Sequence, residues 1–241
     1  SHSYNPNDPN PVYALNPFSM TWENGKRYAI LGPSGCGKTT MLNIVSGLVR
    51  PSTGRILFDD KDVTDLITED RNIAQVFQFP VIYNTMTVYE NLAFPLKCRN
   101  FPKNKTDERV NSVAETLNLK SFLKFHARKL TADQKQLISL GRGLVREDVA
   151  AVLMDEPLTV IDPDLKFRLR RNLKEINEQY KTTLVYVTHD QNEAMTFADN
   201  IIVMSEGEVV QAGSPKELFE RPNTTFVGYF IGSPAMNLFE S

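Results

Sequence analysis

The chain of 241 residues is 41% hydrophobic with a formal net charge of −2. It can bury a sizeable core, and it lacks the concentrated basic surplus that wholesale nucleic-acid binding needs. Its two cysteines, Cys36 and Cys98, are too few for a disulfide framework. The longest apolar run, VAAVLM at 149–154, falls far short of the ~20 residues of a membrane span, so a soluble chain that reaches any membrane through a partner is expected.

Residues 11–31 read as strand, as do 53–58 after the turn STGR. They suggest a small antiparallel subdomain beside a parallel sheet. The first stretch ends in RYAIL and runs into GPSGCGKT at 32–39, after which TMLNIVSGL has helical periodicity. The pattern G-x-x-x-x-G-K-[ST] is a P-loop. Gly32, Gly35 and Gly37 permit backbone angles that turn successive N–H groups inward around phosphate, and the following helix points its N-terminus at the same anion. Lys38 would neutralise β- and γ-phosphates, and the Thr39 hydroxyl would ligate Mg²⁺. The whole turn of Gly32, Pro33, Ser34, Gly35, Cys36, Gly37, Lys38, Thr39 and Thr40 is therefore a candidate ATP site. Cys36 lies near a helix N-terminus, a place that can lower a thiol pKa, yet it reads as a tolerated small residue.

NIAQVF at 72–77 is strand-like, and 82–147 is rich in helix, with Pro80, Pro95 and Pro102 as breakers. Asn104 to Asp107 spell N-K-x-D, a guanine-reading pattern elsewhere. Here no apolar strand precedes it, and ERVNSVAETL follows as an amphipathic helix with Val110, Val113, Ala114 and Leu117 on one face. Thr106 or Asp107 is then the expected N-cap, and ATP is favoured over GTP.

At 130–136 the chain reads LTADQKQ. Thr131 and Gln134 fit a helix capping box, which needs no functional reading. The same residues could instead be an altered loop that touches phosphate. DVAAVLMDEP then gives an apolar strand ending in Asp155 and Glu156. Beside a P-loop this places Asp155 near Mg²⁺ and Glu156 toward the γ-phosphate, where it could polarise a water. DLKFRLRRNLKEINEQY carries Leu165, Leu169, Leu173 and Ile176 on one core-facing stripe. TTLVYVT and NIIVM are strands around a helical QNEAMTFA; SEGEVVQAG is a hairpin and SPKELFE a capped helix.

In order, Gln78 after NIAQVF, LTADQKQLISLGRGLVRE, Asp155-Glu156 and His189 after TTLVYVT resemble the ATP-binding subunit of ABC transporters across essentially the whole chain. QFPVIYNTMTVYENLAFPL and the tail TFVGYFIGSPAMN are most similar to the carbohydrate and polyol importers, of sugar and glycerol type. The resemblance implies an α/β P-loop NTPase with a RecA-like, mostly parallel sheet. Its core would span about 1–81 and 148–241, with a helical subdomain at about 82–147. A regulatory β-domain usually follows GSPxMN in that branch, and is expected here to be absent or removed.

By resemblance, Gln78 would ligate Mg²⁺ or its water and sense a transmembrane partner, and Asp155 would hold Mg²⁺ through water. Glu156 would be the general base, and His189 would contact the γ-phosphate and orient the attacking water. Asp162 would lie in the loop facing an opposite subunit. Tyr4, or else Tyr13, would stack on adenine. The implied partners are a second ATP-binding subunit, two permease subunits and a solute-binding protein, with the chain peripheral on the cytoplasmic face of the cell membrane and no nucleic acid bound. Alternatives are a soluble ATPase uncoupled from transport and a weakly hydrolysing regulator.

In the family LSGGQ stands where LTADQ stands here, and its glycines offer N–H groups to the γ-phosphate held by the other subunit. Ala132 adds a Cβ and Asp133 a carboxylate. At ~5 Å from phosphate, with an effective dielectric of ~20, each unit-charge repulsion is on the order of 3 kcal/mol. A helix N-terminus returns only about 0.3–1 kcal/mol. Thr131, Ala132, Asp133 and Gln134 thus read as both a cap and a departed signature. A different partner chain bearing the glycine-rich version is expected.

Overall fold

The computed structural model describes residues 1–159 and 161–232. The end of the importer-like tail, from Ser233 onward, lies outside the described residues. Six strands form one sheet in the order β4-β5-β6-β1-β7-β8. These are β1 (Arg27–Leu31), β4 (Ala74–Val76), β5 (Ala151–Asp155), β6 (Thr183–Thr188), β7 (Asn200–Ser205) and β8 (Glu208–Gly213). All neighbours are parallel except β7 and β8, which form the hairpin expected from SEGEVVQAG.

Strict alternation splits the inner strands between two apolar layers, as a sheet covered on both faces requires. Ala29, Leu31, Val152, Met154, Leu184, Tyr186, Ile201 and Val203 face one layer. Tyr28, Ile30, Leu153, Val185, Val187, Ile202 and Met204 face the other. Helix α1 (Lys38–Ser46) fills the second layer with Met41, Leu42 and Ile44. The first layer takes Leu169, Leu173 and Ile176 of α5 (Pro163–Tyr180) and Phe197 of α6 (Gln191–Phe197).

The stretch before α5 contains α2 (Val88–Lys97), α3 (Lys103–Thr116) and α4 (Ala132–Leu144). As expected, Val110, Val113, Ala114 and Leu117 are buried together. Two expectations fail here. Pro95 does not break its segment but sits in the last turn of α2, one turn from the natural end. Helix α3 is capped four or five residues earlier than expected, with Pro102 and not Thr106 or Asp107 at the N-cap position. Thr106 is buried inside it, and Asp107 accepts a hydrogen bond from the Tyr89 hydroxyl instead of capping.

The antiparallel subdomain is smaller than the sequence suggested. Among the described residues it is a two-stranded sheet, β2 (Leu57–Phe58) paired with β3 (Lys61–Asp62). Residues 53–56 are drawn away, since Thr53 bonds Ser1 through both its N–H and its carbonyl, and Gly54 has φ 90°. Residues 11–26 form no strand; Leu15 makes an isolated bridge to His2, and the Asn16 N–H donates to the Gly207 carbonyl at 2.8 Å. Pro11 and Pro17 lack ladder donors, and Val12 and Tyr13 between them face solvent.

Arg71 closes the far end of α1. Its buried guanidinium donates to the carbonyls of Ile44 (2.7 Å) and Val45 (2.9 Å) and also to Thr64 and Leu66. These are the orphan carbonyls a helix C-terminus must satisfy. The result holds α1, and hence the loop before it, at a fixed height on the sheet.

Candidate active site

The carboxyl ends of β1, β4, β5 and β6 deliver every central candidate to one edge of the sheet, the edge where open α/β folds bind ligands. β1 runs straight into Gly32, and the loop returns as α1. Gly37 has φ 101°, and a Cβ there would lie 2.4 Å from the Ala14 carbonyl oxygen; a Cβ on Gly32 would meet the Met204 oxygen at 2.3 Å. Glycine is thus required at both positions by space, and at Gly37 by angle as well. The Gly207 N–H, in the β7–β8 turn, braces the loop by donating to the Cys36 carbonyl at 3.2 Å.

Lys38 is buried, and its ammonium donates to the carbonyls of Gly32 and Pro33, both at 2.8 Å. The positive charge therefore lies inside the cradle and not in bulk water. Cys36 is buried as well, and burial pushes its thiol up from the usual value despite the neighbouring Lys38 charge. The helix terminus does not activate it.

Asp155 ends β5 with 8% of its surface exposed. Burial raises its carboxyl above the ordinary range, a hydrogen bond with the Thr39 hydroxyl pulls it down, and the Glu156 charge pushes it up again. Thr39 and Asp155 thus meet as hard oxygen donors. No group of three or more His, Cys, Asp or Glu is arranged to hold a metal among the described residues. A donor set of one carboxylate and one hydroxyl suits Mg²⁺, which keeps waters and shares its shell with phosphate oxygens.

Glu156 is the meeting point of the site. It has φ 44°, a left-handed angle unusual for a side chain of this size, and its N–H donates to the Val187 carbonyl at 3.0 Å. That bond ties it to β6, the strand that leads into His189. A carboxylate can only accept, so His189 donates through Nδ1–H to Glu156 Oε1 at 3.1 Å. In the neutral ring Nε2 is then left as an acceptor. Gln78 reaches the other oxygen with its amide at 3.4 Å, which leaves its own carbonyl oxygen free for a cation.

Two residues that sequence reasoning passed over complete this arrangement. The Thr159 hydroxyl lies 3.0 Å from the Glu156 carbonyl and 3.3 Å from its carboxylate. Gln136, buried in α4, donates to the carbonyls of Phe77 (3.3 Å) and Pro157 (2.9 Å), next to Gln78 and Glu156 respectively. Its place within LTADQKQ was visible, but its direction into the protein was not.

The peripheral candidates lie further out. Tyr4 is 61% exposed, and its hydroxyl is 3.1 Å from the Thr40 hydroxyl at the head of α1, while the ring meets His2 edge-on. The Tyr13 carbonyl lies against Gly207, in the β7–β8 turn that braces the loop. Thr131 caps α4 as the sequence predicts, accepting from the Gln134 N–H while the Gln134 side chain accepts from the Thr131 N–H. Ala132 and Asp133 occupy the first turn, and Asp162 caps α5 by accepting from the Asp164 N–H. Among the described residues no helix is long and apolar enough to cross a membrane.

Residues 15–159, more than half of the chain, match the sequence profile described as ABC transporter. The chain belongs to the ABC transporter family. This ABC protein is 46% identical over 236 residues to the trehalose/maltose import ATP-binding protein MalK of Thermococcus litoralis, which covers 95% of the chain and 63% of that relative. It is 45% identical over 227 residues to the sn-glycerol-3-phosphate import ATP-binding protein UgpC 3 of Agrobacterium fabrum, with 94% and 64% covered. The ABC chain thus spans less than two thirds of the length of these relatives.

Among solved structures, cbiO1 from Clostridium perfringens, part of the ABC transporter complex cbiONQ, superposes with a TM-score of 0.80 at 28% identity. It covers 93% of this chain and 90% of that one. An ATP-binding cassette solved as a dimer in a post-hydrolysis state with ADP and Pi gives 0.77 at 27% identity, with 89% and 95% covered.

Proposed function

We propose that this chain is the ATP-hydrolysing subunit of an ABC importer that takes up a small solute such as a sugar, glycerol or glycerol phosphate. The observation that carries the reading is the convergence of Gln78 and His189 on the Glu156 carboxylate at the mouth of a phosphate cradle. The import functions in the names of its relatives support the solute class.

Residues Gly32 to Thr40 wrap the phosphates with backbone N–H groups, and Lys38 leaves the Gly32 and Pro33 carbonyls to meet the β- and γ-oxygens. Tyr4 stacks on the base. Thr39, Asp155 and Gln78 hold Mg²⁺, which when bound neutralises charge on the phosphate oxygens. His189 Nε2 accepts one hydrogen of the attacking water and so orients it. Glu156 takes the other proton as the water oxygen bonds the γ-phosphorus and the bond to the β–γ bridging oxygen breaks, giving ADP and inorganic phosphate.

The chain works at the cytoplasmic face of the membrane with two permease subunits and a solute-binding protein. The helical region of about 82–147 forms the arm that carries Thr131 to Gln134 toward a second ATP-binding subunit. Asp133 favours a different chain as that partner, with a glycine-rich signature that completes this chain's own site, Asp162 lying at the same junction.

The test is reconstitution in sealed vesicles with the permeases, the solute-binding protein and the second ATPase subunit. ATP and Mg²⁺ should drive uptake of one of the labelled solutes, and Lys38→Ala should abolish it. Failure of the purified chain to bind ATP would overturn the reading at its base.

A further inference from the structure

A second buried polar cluster lies behind His189 and takes no part in the chemistry described above. At its centre is Glu193, in the first turn of α6 and only 6% exposed. Its Oε2 accepts from the Tyr186 hydroxyl and from the Thr188 hydroxyl, both at 2.9 Å. Its Oε1 faces Arg170 at 3.5 Å and Lys166 at 3.6 Å, both from α5.

A carboxylate this deep requires such compensation, and both of its oxygens have it. The placement relative to His189 is specific. The Thr188 hydroxyl, while donating to Glu193, accepts from the Asp190 N–H at 3.0 Å. Asp190 in turn accepts from the N–H groups of Asn192 (2.7 Å) and Glu193 (3.2 Å). Thr188 is therefore fastened directly to the buried anion, and Asp190 through the Thr188 hydroxyl and the Glu193 N–H, while the imidazole between them projects into solvent at 56% exposure. Among the described residues the ring's hydrogen bond is the one to Glu156. Lys166 and Arg170 lie one and two turns along α5 from its cap, Asp162, so the same anion registers the turn against that helix.

We propose that Glu193 is a positioning residue for His189, setting the backbone turn that aims the imidazole at Glu156. It touches no reacting atom. The proposal rests on the ATPase reading only for its turnover arm.

The chain has three histidines, His2, His126 and His189, so imidazole nitrogen-15 spectra of the whole chain can be assigned by removing His189. Glu193→Gln keeps the shape and one acceptor oxygen for the two hydroxyls, and removes the charge that gathers the two cations. Its His189 signals should shift or broaden while those of His2 and His126 stay in place. Thr188→Val cuts only the link to the turn, and serves equally if the first variant does not fold. Unmoved His189 signals in a folded variant would overturn the proposal.

With the partner ATPase present, Glu193→Gln should lower kcat on the order of 10–100-fold, the scale expected for misplacing a catalytic group, with KM for ATP unchanged. In a His189→Ala background it should cost nothing further. An equal loss in both backgrounds would mark a merely structural role and sink the idea. If the wild-type assembly shows no turnover at all, the ATPase reading fails, and the spectra still decide the positioning role.

Discussion

His189 and Glu156 lie 33 positions apart in the chain, yet the imidazole donates to the carboxylate across 3.1 Å. The contact exists because β5 and β6 are adjacent, parallel and in register, with Asp155 opposite Val187. Each strand therefore hands its next one or two residues to the same point above the sheet. A general base contributes about 10²–10⁴-fold to a rate, and that is the role proposed for Glu156. Glu156→Gln should accordingly lower phosphate release by that factor while leaving nucleotide affinity within a few-fold, measured by single-turnover assay and by a fluorescent ATP analogue. Turnover within tenfold of wild type would remove Glu156 from the role.

Asp155 gives a prediction of opposite sign for stability and activity. Its carboxyl titrates above the ordinary range because it is buried. Between the ordinary and the raised value the folded chain holds more proton than the unfolded one, so stability falls as pH rises through that window and stays lower above it. Asp155→Asn removes the charge and keeps an acceptor for Thr39. In the absence of nucleotide it should melt higher than wild type at neutral pH. That advantage should vanish below the ordinary carboxylate range, as followed by thermal melts across pH. The same variant should lose Mg²⁺-dependent hydrolysis. A lower melting temperature at neutral pH would contradict the argument.

The sheet strands, the cradle and the residues at its mouth were legible because their signals are local. Alternating apolar runs, a glycine turn with forced angles and acids at strand ends each occupy a few consecutive residues. The strands read at 11–31 and 53–58 are too long, failing at 11–26 and 53–56, because their outcome depends on partners far away in sequence: Thr53 is taken by Ser1, and Asn16 by Gly207. Gln136 and Glu193 were invisible for a related reason. A polar residue on a helix reads as a solvated face until the fold shows that it points inward. The cap of α3 was placed late because Thr106 and Asp107 carry the right chemistry, while burial of Thr106 and the Tyr89 contact of Asp107 use it elsewhere.

Tyr4 stands at the cradle with its hydroxyl against Thr40 and most of its ring in water. A ring positioned to stack on a base is worth about 1–3 kcal/mol by alanine substitution. Tyr4→Ala should therefore weaken ATP binding by roughly 5–150-fold, with a smaller effect on triphosphate alone. Tyr4→Phe should stay close to wild type, and Tyr13→Ala should change little. Calorimetric titration with ATP and with inorganic triphosphate separates these outcomes. A larger loss in Tyr13→Ala would transfer the stacking role to that residue.

The last prediction concerns Asp133, in the first turn of α4 behind a complete capping box. Its charge favours the helix by about 0.3–1 kcal/mol, whereas its repulsion of a phosphate presented by a second copy is on the order of 3 kcal/mol. Local stability and phosphate clasping therefore pull in opposite directions, and the phosphate effect is the larger. In a preparation containing only this chain, Asp133→Gly should raise ATP turnover by roughly 10–100-fold and lower the melting temperature by about 2–4 °C, the cost of losing a favourable first-turn acid and adding a glycine. Paired with a subunit bearing a glycine-rich signature, the site built on this chain's own cradle faces the partner's loop, so the same substitution should leave that site's rate unchanged. Brisk hydrolysis by the unaltered chain alone, insensitive to Asp133→Gly, would show that the carboxylate never faces phosphate and that a second, different subunit is unnecessary.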